Sequence, residues 1–300
     1  MLERWAFSFL VVTILFGSVY RCDGKKSGAY SFTISRLIPP LGWSENKKPQ
    51  KGSSEIRTVG NVRVEVSQSD LPYICSVRHQ TVHRCSATIL NPNWLLTSGH
   101  CIIDLPVDAI AIVCGIRMYR TVQEFVPHPD FDATRWTGHD LALLRMRKAL
   151  NFTSNVQPIP LNDGSVVRVA ETATIVGYDR FRSGDESGLI WAWNPTLQMA
   201  NVSILSSGEC QQRLGPILST YLTDVNICTD NAKSTLPTID GTSMCLADSG
   251  APLMIATELQ PYTLFAIPSW TPWTPCGTGP SVHVRVAPHL DWILTVIGVN

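Results

Sequence analysis

The sequence predicts an all-β protein, an antiparallel barrel or sandwich, and three observations carry that expectation. Short runs rich in Val, Ile, Leu and Thr recur along most of the chain. Turn-forming stretches (NPN, PHPD, LNDG, RSGDESG) punctuate them. Helical spacing is convincing only at the C-terminus, in APHLDWILTVIGV, where Leu290, Ile293, Leu294 and Ile297 share one face. In chain order the strand candidates are VRVEV, LPYICSV, CSATIL, WLLTS, AIAIVCG, LALLRM, TATIVGY, NVSIL, APLMI, YTLFAIPSW and VHVRV. No internal repeat stands out.

The chain has 300 residues, enough for a substantial core, with 24 basic and 24 acidic side chains. That balance points to no nucleic acid and no anionic membrane surface. At the N-terminus Arg4 precedes an uncharged, mostly apolar run, Trp5–Val19. It is short for a membrane span and suits a signal peptide, residues 1–24, cut before Lys25; an uncleaved anchor is the alternative. Residues 25–57 are polar and rich in Lys, Ser, Gly and Pro, as in a pro-segment or linker. A secreted domain is expected over 58–300, with no stable membrane insertion once the signal is removed.

Cysteine usage agrees with an oxidising compartment. Of nine cysteines, Cys22 leaves with the signal, and the remaining even set suggests disulfides of undetermined connectivity. Asn151-Phe152-Thr153 and Asn201-Val202-Ser203 are glycosylation sequons.

Three separated stretches carry chemistry together. NWLLTSGHC ends on His100-Cys101, GHDLALLRM places Asp140 before an apolar strand, and SMCLADSGAPL contains Ser249. A serine hydroxyl is a weak nucleophile that needs a base within hydrogen-bond reach. The base needs a buried carboxylate to fix its tautomer and stabilise its cation. Each piece alone has an ordinary structural explanation. Their conjunction in the order His, Asp, Ser is what points to catalysis.

These stretches resemble the chymotrypsin/trypsin-like serine proteases. WLLTSGHC is similar to that family's W-V-L-T-A-A-H-C, HDLALL to D-I-A-L-L, and CLADSGAPL to C-x-G-D-S-G-G-P-L. VQPIPL, Ser269-Trp270 and VHVRVAPHLDWI add to the likeness. The resemblance implies two perpendicular six-stranded antiparallel β barrels with a C-terminal α-helix and a site in the cleft between the barrels. It implies a secreted endopeptidase made as a zymogen, acting on protein or peptide substrates without a cofactor. It assigns catalysis to His100, Asp140 and Ser249, and the oxyanion hole to the N–H groups of Ala247 and Ser249. It implies the disulfides Cys85–Cys101, Cys210–Cys228 and Cys245–Cys276, leaving Cys75 and Cys114 to pair by elimination. Pro160 replaces the cysteine that often tethers a cleaved pro-segment.

The departures are as informative as the matches. The activation text reads Arg57-Thr58-Val59-Gly60-Asn61 where the family has a basic residue before I-V-G-G. An activating protease would cut after Arg57, and the new Thr58 ammonium would pair with Asp248. The alternative is a linker that is never cut. Ala247 replaces a glycine in the oxyanion loop; an alanine forced to positive φ costs roughly 1–2 kcal/mol, and losing one donor costs about 10²–10³ in rate. Ala251 replaces another glycine, where a methyl mainly tests packing. Asp179 stands where a glycine is frequent, beside that loop.

For specificity, Ser243 occupies the position that is Asp in trypsin-like members, so no charge awaits Arg or Lys. Ser269, Trp270, Thr271 and Ser281 line the expected pocket. Side chains at Thr271 and Ser281 would shorten it toward small apolar P1 residues, or block it. SWTPWTPCGTGP is about one residue longer than usual, which loosens the placement of Thr271. His79, His83 and Cys85 have loosely metal-like spacing but read as surface histidines beside a disulfide cysteine, and no metal is expected. Trp270 and Trp273 resemble a thrombospondin-type ladder without room for such a module. The competing function is a catalytically inactive or weak homologue acting as a secreted binding or regulatory protein.

Overall fold

The computed structural model describes residues 64–134, 138–164, 172–178, 180–182, 191–193, 197–231, 248–257, 260, 262–272 and 279–298. The expected signal peptide and pro-segment, residues 1–24 and 25–57, lie outside them.

Strand β1 (Val64–Glu65) precedes six strands: β2 (Ile74–His79), β3 (Val82–Ile89), β4 (Trp94–Thr97), β5 (Ile110–Cys114), β6 (Met118–Pro127) and β7 (Ala142–Met146). They close into an antiparallel barrel in the order β2-β3-β4-β7-β6-β5, with β5 returning to β2. Next come β8 (Thr172–Gly177) and a separate hairpin of β9 (Arg180–Arg182) and β10 (Trp191–Trp193). The last strands are β11 (Gln198–Ile204), β12 (Asn226–Asn231), β13 (Leu253–Ile255), β14 (Thr263–Trp270) and β15 (Ser281–Arg285). Pairings run from β8 through β11, β12, β15, β14 and β13 back to β8, closing a second barrel. β1 pairs along β11.

Burial alternates as the pleat requires. In β11, Ala200, Val202 and Ile204 face inward while Asn201 faces solvent. Val77, Ile89, Leu95, Ile112 and Leu144 fill the first barrel, and Ile175, Val202, Leu253 and Ala266 the second. A further cluster unites Leu96 and Leu143 with Val176, Ile267 and Val284, joining the barrels through apolar contact. Helix α2 (Leu290–Ile297) buries Ile293 in that cluster and ends on Gly298 at φ 75°. Among the described residues, no helix is long and apolar enough to cross a membrane.

One helix was not legible from apolar spacing. Helix α1 (Ser207–Leu218) starts on a capping box in which Ser206 and Glu209 satisfy each other's backbone N–H groups. S-x-x-E at Ser206–Glu209 was the available signal. Gly208, Gly215 and Pro216 mask it, and Gly215 sits at φ 76°, outside helical geometry. Disulfides join Cys75 to Cys114 across β2 and β5, Cys85 to Cys101, and Cys210 on α1 to Cys228 on β12. The expected Cys245–Cys276 pair lies outside the described residues.

Candidate active site

His100 sits in the 3-10 turn Gly99–Cys101, directly after β4. The Cys85–Cys101 bridge ties this turn to β3. Arg84 Nε donates to Cys101 O at 2.6 Å, and the Phe131 ring lies where a Cβ on Gly99 would come within 2.7 Å of it. The turn is therefore held from three sides.

Asp140 enters from the segment before β7 and is completely buried. The His100 backbone N–H donates to Asp140 Oδ1 at 2.9 Å, and ring Nδ1–H donates to Oδ2 at 2.7 Å. Ser269 Oγ donates to the same Oδ2 at 2.5 Å. Burial pushes the carboxyl pKa upward. The charge of His100 and the hydrogen bonds from His100 and Ser269 outweigh it, so the pKa lies below the ordinary Asp value. An ionised carboxylate can only accept, so Nδ1 carries the proton of that hydrogen bond.

Ser269 reaches Asp140 because the sheet is bulged there. Pro268 pairs with His283 and Trp270 with Val282, leaving Ser269 as the extra residue. Bulges beside active sites re-aim side chains in this way. Ser269 was expected as a pocket residue; its hydroxyl is engaged by the carboxylate.

Ser249 lies in a tight turn closed by Ala251 N–H donating to Asp248 O at 2.9 Å. Gly250 takes φ 84° in that turn, and a Cβ there would come within 2.1 Å of Ser86 O. Only glycine fits both demands. The other barrel grips the same turn: Ser86 N–H donates to Ser249 O at 2.8 Å and Thr88 Oγ1 to Gly250 O at 3.2 Å. The Cys101 sulfur lies 3.7 Å from His100 Nε2 and 3.9 Å from the main-chain O of Ser249, so the imidazole and the Ser249 backbone flank one atom. Serine, imidazole and buried carboxylate thus converge where the two barrels meet.

Comparison with known proteins decides the family. The trypsin family model matches residues 59–293. The chain belongs to the trypsin family. It is 27% identical to the serine proteinase stubble of Drosophila melanogaster over 84% of its own length, but it spans only 32% of that protein. It is 26% identical to prostatic glandular kallikrein-6 of Rattus norvegicus, over 88% of this chain and 97% of the relative. It is 29% identical to kallikrein-11 of Mus musculus, over 76% and 79%.

In this trypsin-family chain Asp248 is buried, and its carboxylate occupies the space a Cβ on Gly177 would need, with Oδ1 2.0 Å from that position. Ala251, with its extra methyl, is fully buried within the cluster that joins the barrels. Ser281 is fully buried at the start of β15, Trp270 packs against the cluster around Cys210–Cys228, and Thr271 is half-buried. His83 corrects the expectation of a surface histidine: it is 2% exposed, its Nδ1 lies 2.7 Å from Ser76 Oγ, and its ring meets Tyr178 edge-on. Arg57, Thr58, Asp179, Ser243, Ala247 and Trp273 lie outside the described residues. Thr97 Oγ1 donates to Ser86 O at 2.8 Å and Ser98 Oγ to Pro268 O at 2.6 Å; like Ser86 and Thr88, these residues hold main-chain groups of distant strands, a role that their residue type does not announce in the sequence.

Proposed function

We propose that this chain is a secreted serine endopeptidase, made as a zymogen and activated by cleavage after Arg57. The observation that carries the proposal is the fully buried Asp140 carboxylate holding the His100 ring and backbone together. A chain using this fold only as a binding scaffold has no chemical need for that arrangement.

Ser249 Oγ attacks the scissile carbonyl carbon while its proton passes to His100 Nε2, and Asp140 stabilises the resulting imidazolium. The N–H groups of Ala247 and Ser249 hold the oxyanion. His100 then gives its proton to the leaving amine as the C–N bond breaks. Water, deprotonated by the same imidazole, releases the acyl group and restores Ser249. Without a carboxylate at Ser243, and with Thr271 and Ser281 as pocket residues, small apolar P1 side chains are preferred.

The test is to produce residues 25–300, cut after Arg57, and expose the product to a fluorophosphonate probe beside Ser249→Ala. Labelling of the cut wild type alone is expected. If the correctly bridged, cut protein is not labelled, the alternative stands: a secreted binding protein on a protease scaffold, with Ala247 as the departure that favours it. Should a P1 library reveal a preference for Arg or Lys, the assignment of Ser243 is wrong.

A further inference from the structure

We propose that one end of the first barrel docks an acidic peptide segment of a partner protein. Arg117, Arg120, Arg147 and Lys148 supply the charge, with Ile116 and Tyr119 beside them as apolar contacts. The topology brings these residues together. β5 and β6 pair with Cys114 opposite Met118, so residues 115–117 form the turn between them. The Arg147 N–H donates to Thr121 O at 3.0 Å, and Arg120 Nε donates to Ala149 O at 3.1 Å. These bonds lay Arg147 and Lys148 alongside β6. A Cβ on Gly115 would come within 2.8 Å of Val156 and 3.2 Å of Asn155 O, so the turn carrying exposed Phe152 lies against the same end.

The chain as a whole is neutral, with 24 basic and 24 acidic side chains, but this end is not. Residues 110–127 and 142–161 together hold five basic side chains (Arg117, Arg120, Arg145, Arg147, Lys148) and one acidic, Glu124, a net of +4. Arg145 already engages Glu124 at 3.0 Å. Among the described residues, exposed Arg117, Arg147 and Lys148 form no ion pair, and Arg120 donates only to main-chain oxygens. Such guanidinium groups match carboxylates, which accept two parallel N–H groups at once.

The apolar side chains decide the class of partner. Ile116 is 75% exposed and Tyr119 62%, set among cations that lack partners. Large apolar side chains grouped in this way mark an interaction surface. A sulfated polysaccharide would engage the cations and leave Ile116 and Tyr119 in water. A peptide that interleaves acidic with aliphatic or aromatic residues covers both: opposite charge draws it in, and apolar contact holds it. The surface is separate from the triad, since Asp140 stands shortly before β7 and Arg147 directly after it, about 20 Å apart along the strand. It needs no catalysis, so it serves an active protease as a recruiting site and an inactive homologue as a binding site.

The test is fluorescence anisotropy with the labelled peptide EDIEDYEDIEDY, using the secreted full chain carrying Ser249→Ala so that nothing is cut. Saturable binding that weakens as salt is raised is expected. The counterpart peptide with Gln and Asn in place of the acids should bind far less. Arg147→Glu with Lys148→Glu, and separately Ile116→Ser with Tyr119→Ser, should each weaken binding at least about 10-fold. Arg213→Gln, on α1, should bind as the parent does. Asn151 of the first sequon borders the surface, so Asn151→Gln is measured in parallel; binding by that form alone would place the surface beneath a glycan and still support the proposal. The proposal is overturned if neither form binds the acidic peptide, if the amide peptide binds equally, or if either double variant binds as the parent does. A sulfated oligosaccharide that binds through these cations while the peptide does not would overturn it in favour of polysaccharide. Disulfide mapping and thermal melting establish folding, and should a double variant misfold, Arg117→Glu on the exposed turn decides.

Discussion

Three donors converge on the Asp140 carboxylate, and removing them separately distinguishes their roles. Asp140→Asn keeps the shape but offers the His100 ring an amide, favouring the wrong tautomer; a fall of about 10⁴ in kcat is expected. Ser269→Ala removes one hydrogen bond to a buried charge, worth about 1.5–3 kcal/mol, and leaves the others. Probe-labelling rates should therefore drop roughly 10- to 100-fold while His100 stays in place. A different titration belongs to His283, which is fully buried with Nε2 2.7 Å from Thr229 Oγ1. Burial depresses its pKa from 6.5 to about 3. The unfolded chain takes up a proton below pH 6.5 that the folded protein refuses, so stability is lost as pH falls from there towards about 3. The slope is up to about 1.4 kcal/mol per pH unit for this group. Melting temperatures measured across that range should fall less steeply for His283→Gln.

The hairpin joining β2 to β3 turns through Gln80 at φ 49° and Thr81 at φ 71°, neither of them a residue that favours positive φ. Two-residue turns of this hand prefer Asn-Gly, so replacing the pair should raise stability by about 1–2 kcal/mol without touching the site. A higher melting temperature with unchanged probe labelling would confirm it. The Cys85–Cys101 bridge closes a short loop carrying β4 and the His100 turn. Replacing both cysteines by alanine should cost about 3 kcal/mol and slow labelling as well, because the turn loses its anchor.

These elements also show what was legible in the sequence. Alternating apolar runs revealed most strands, and the His, Asp and Ser stretches revealed the centre of the site, because both use side chains whose type matters. β6 was passed over because MYRTVQEFVP mixes exposed polar and half-buried positions, with only Val122 fully inward. α1 hid behind two glycines and a proline. The bulge at Ser269 is a property of register between β14 and β15, which no single strand encodes.

At the scale of the molecule, two closed barrels meet across an apolar cluster and a row of hydrogen bonds. Ser98 Oγ donates to Pro268 O at 2.6 Å, joining β14 to the residue just before the His100 turn. Ser98→Ala leaves a buried carbonyl without its partner, at about 1–3 kcal/mol. Because the bond spans the barrels, one cooperative thermal transition shifted downward is expected. Two separate transitions in calorimetry would show that the barrels unfold independently.

The grip on Ser249 by Ser86 is made by backbone alone: the N–H donates, while the Ser86 hydroxyl finds no partner among the described residues. Such a clasp is blind to side-chain identity. Position 86 should accept alanine or another small residue and keep the serine where it is, yet reject proline, the one residue that brings no N–H. The chain can therefore drift in composition around its reactive centre while the centre stays put. An intact tether at Ser249 accordingly says little about whether the neighbouring loop still performs chemistry.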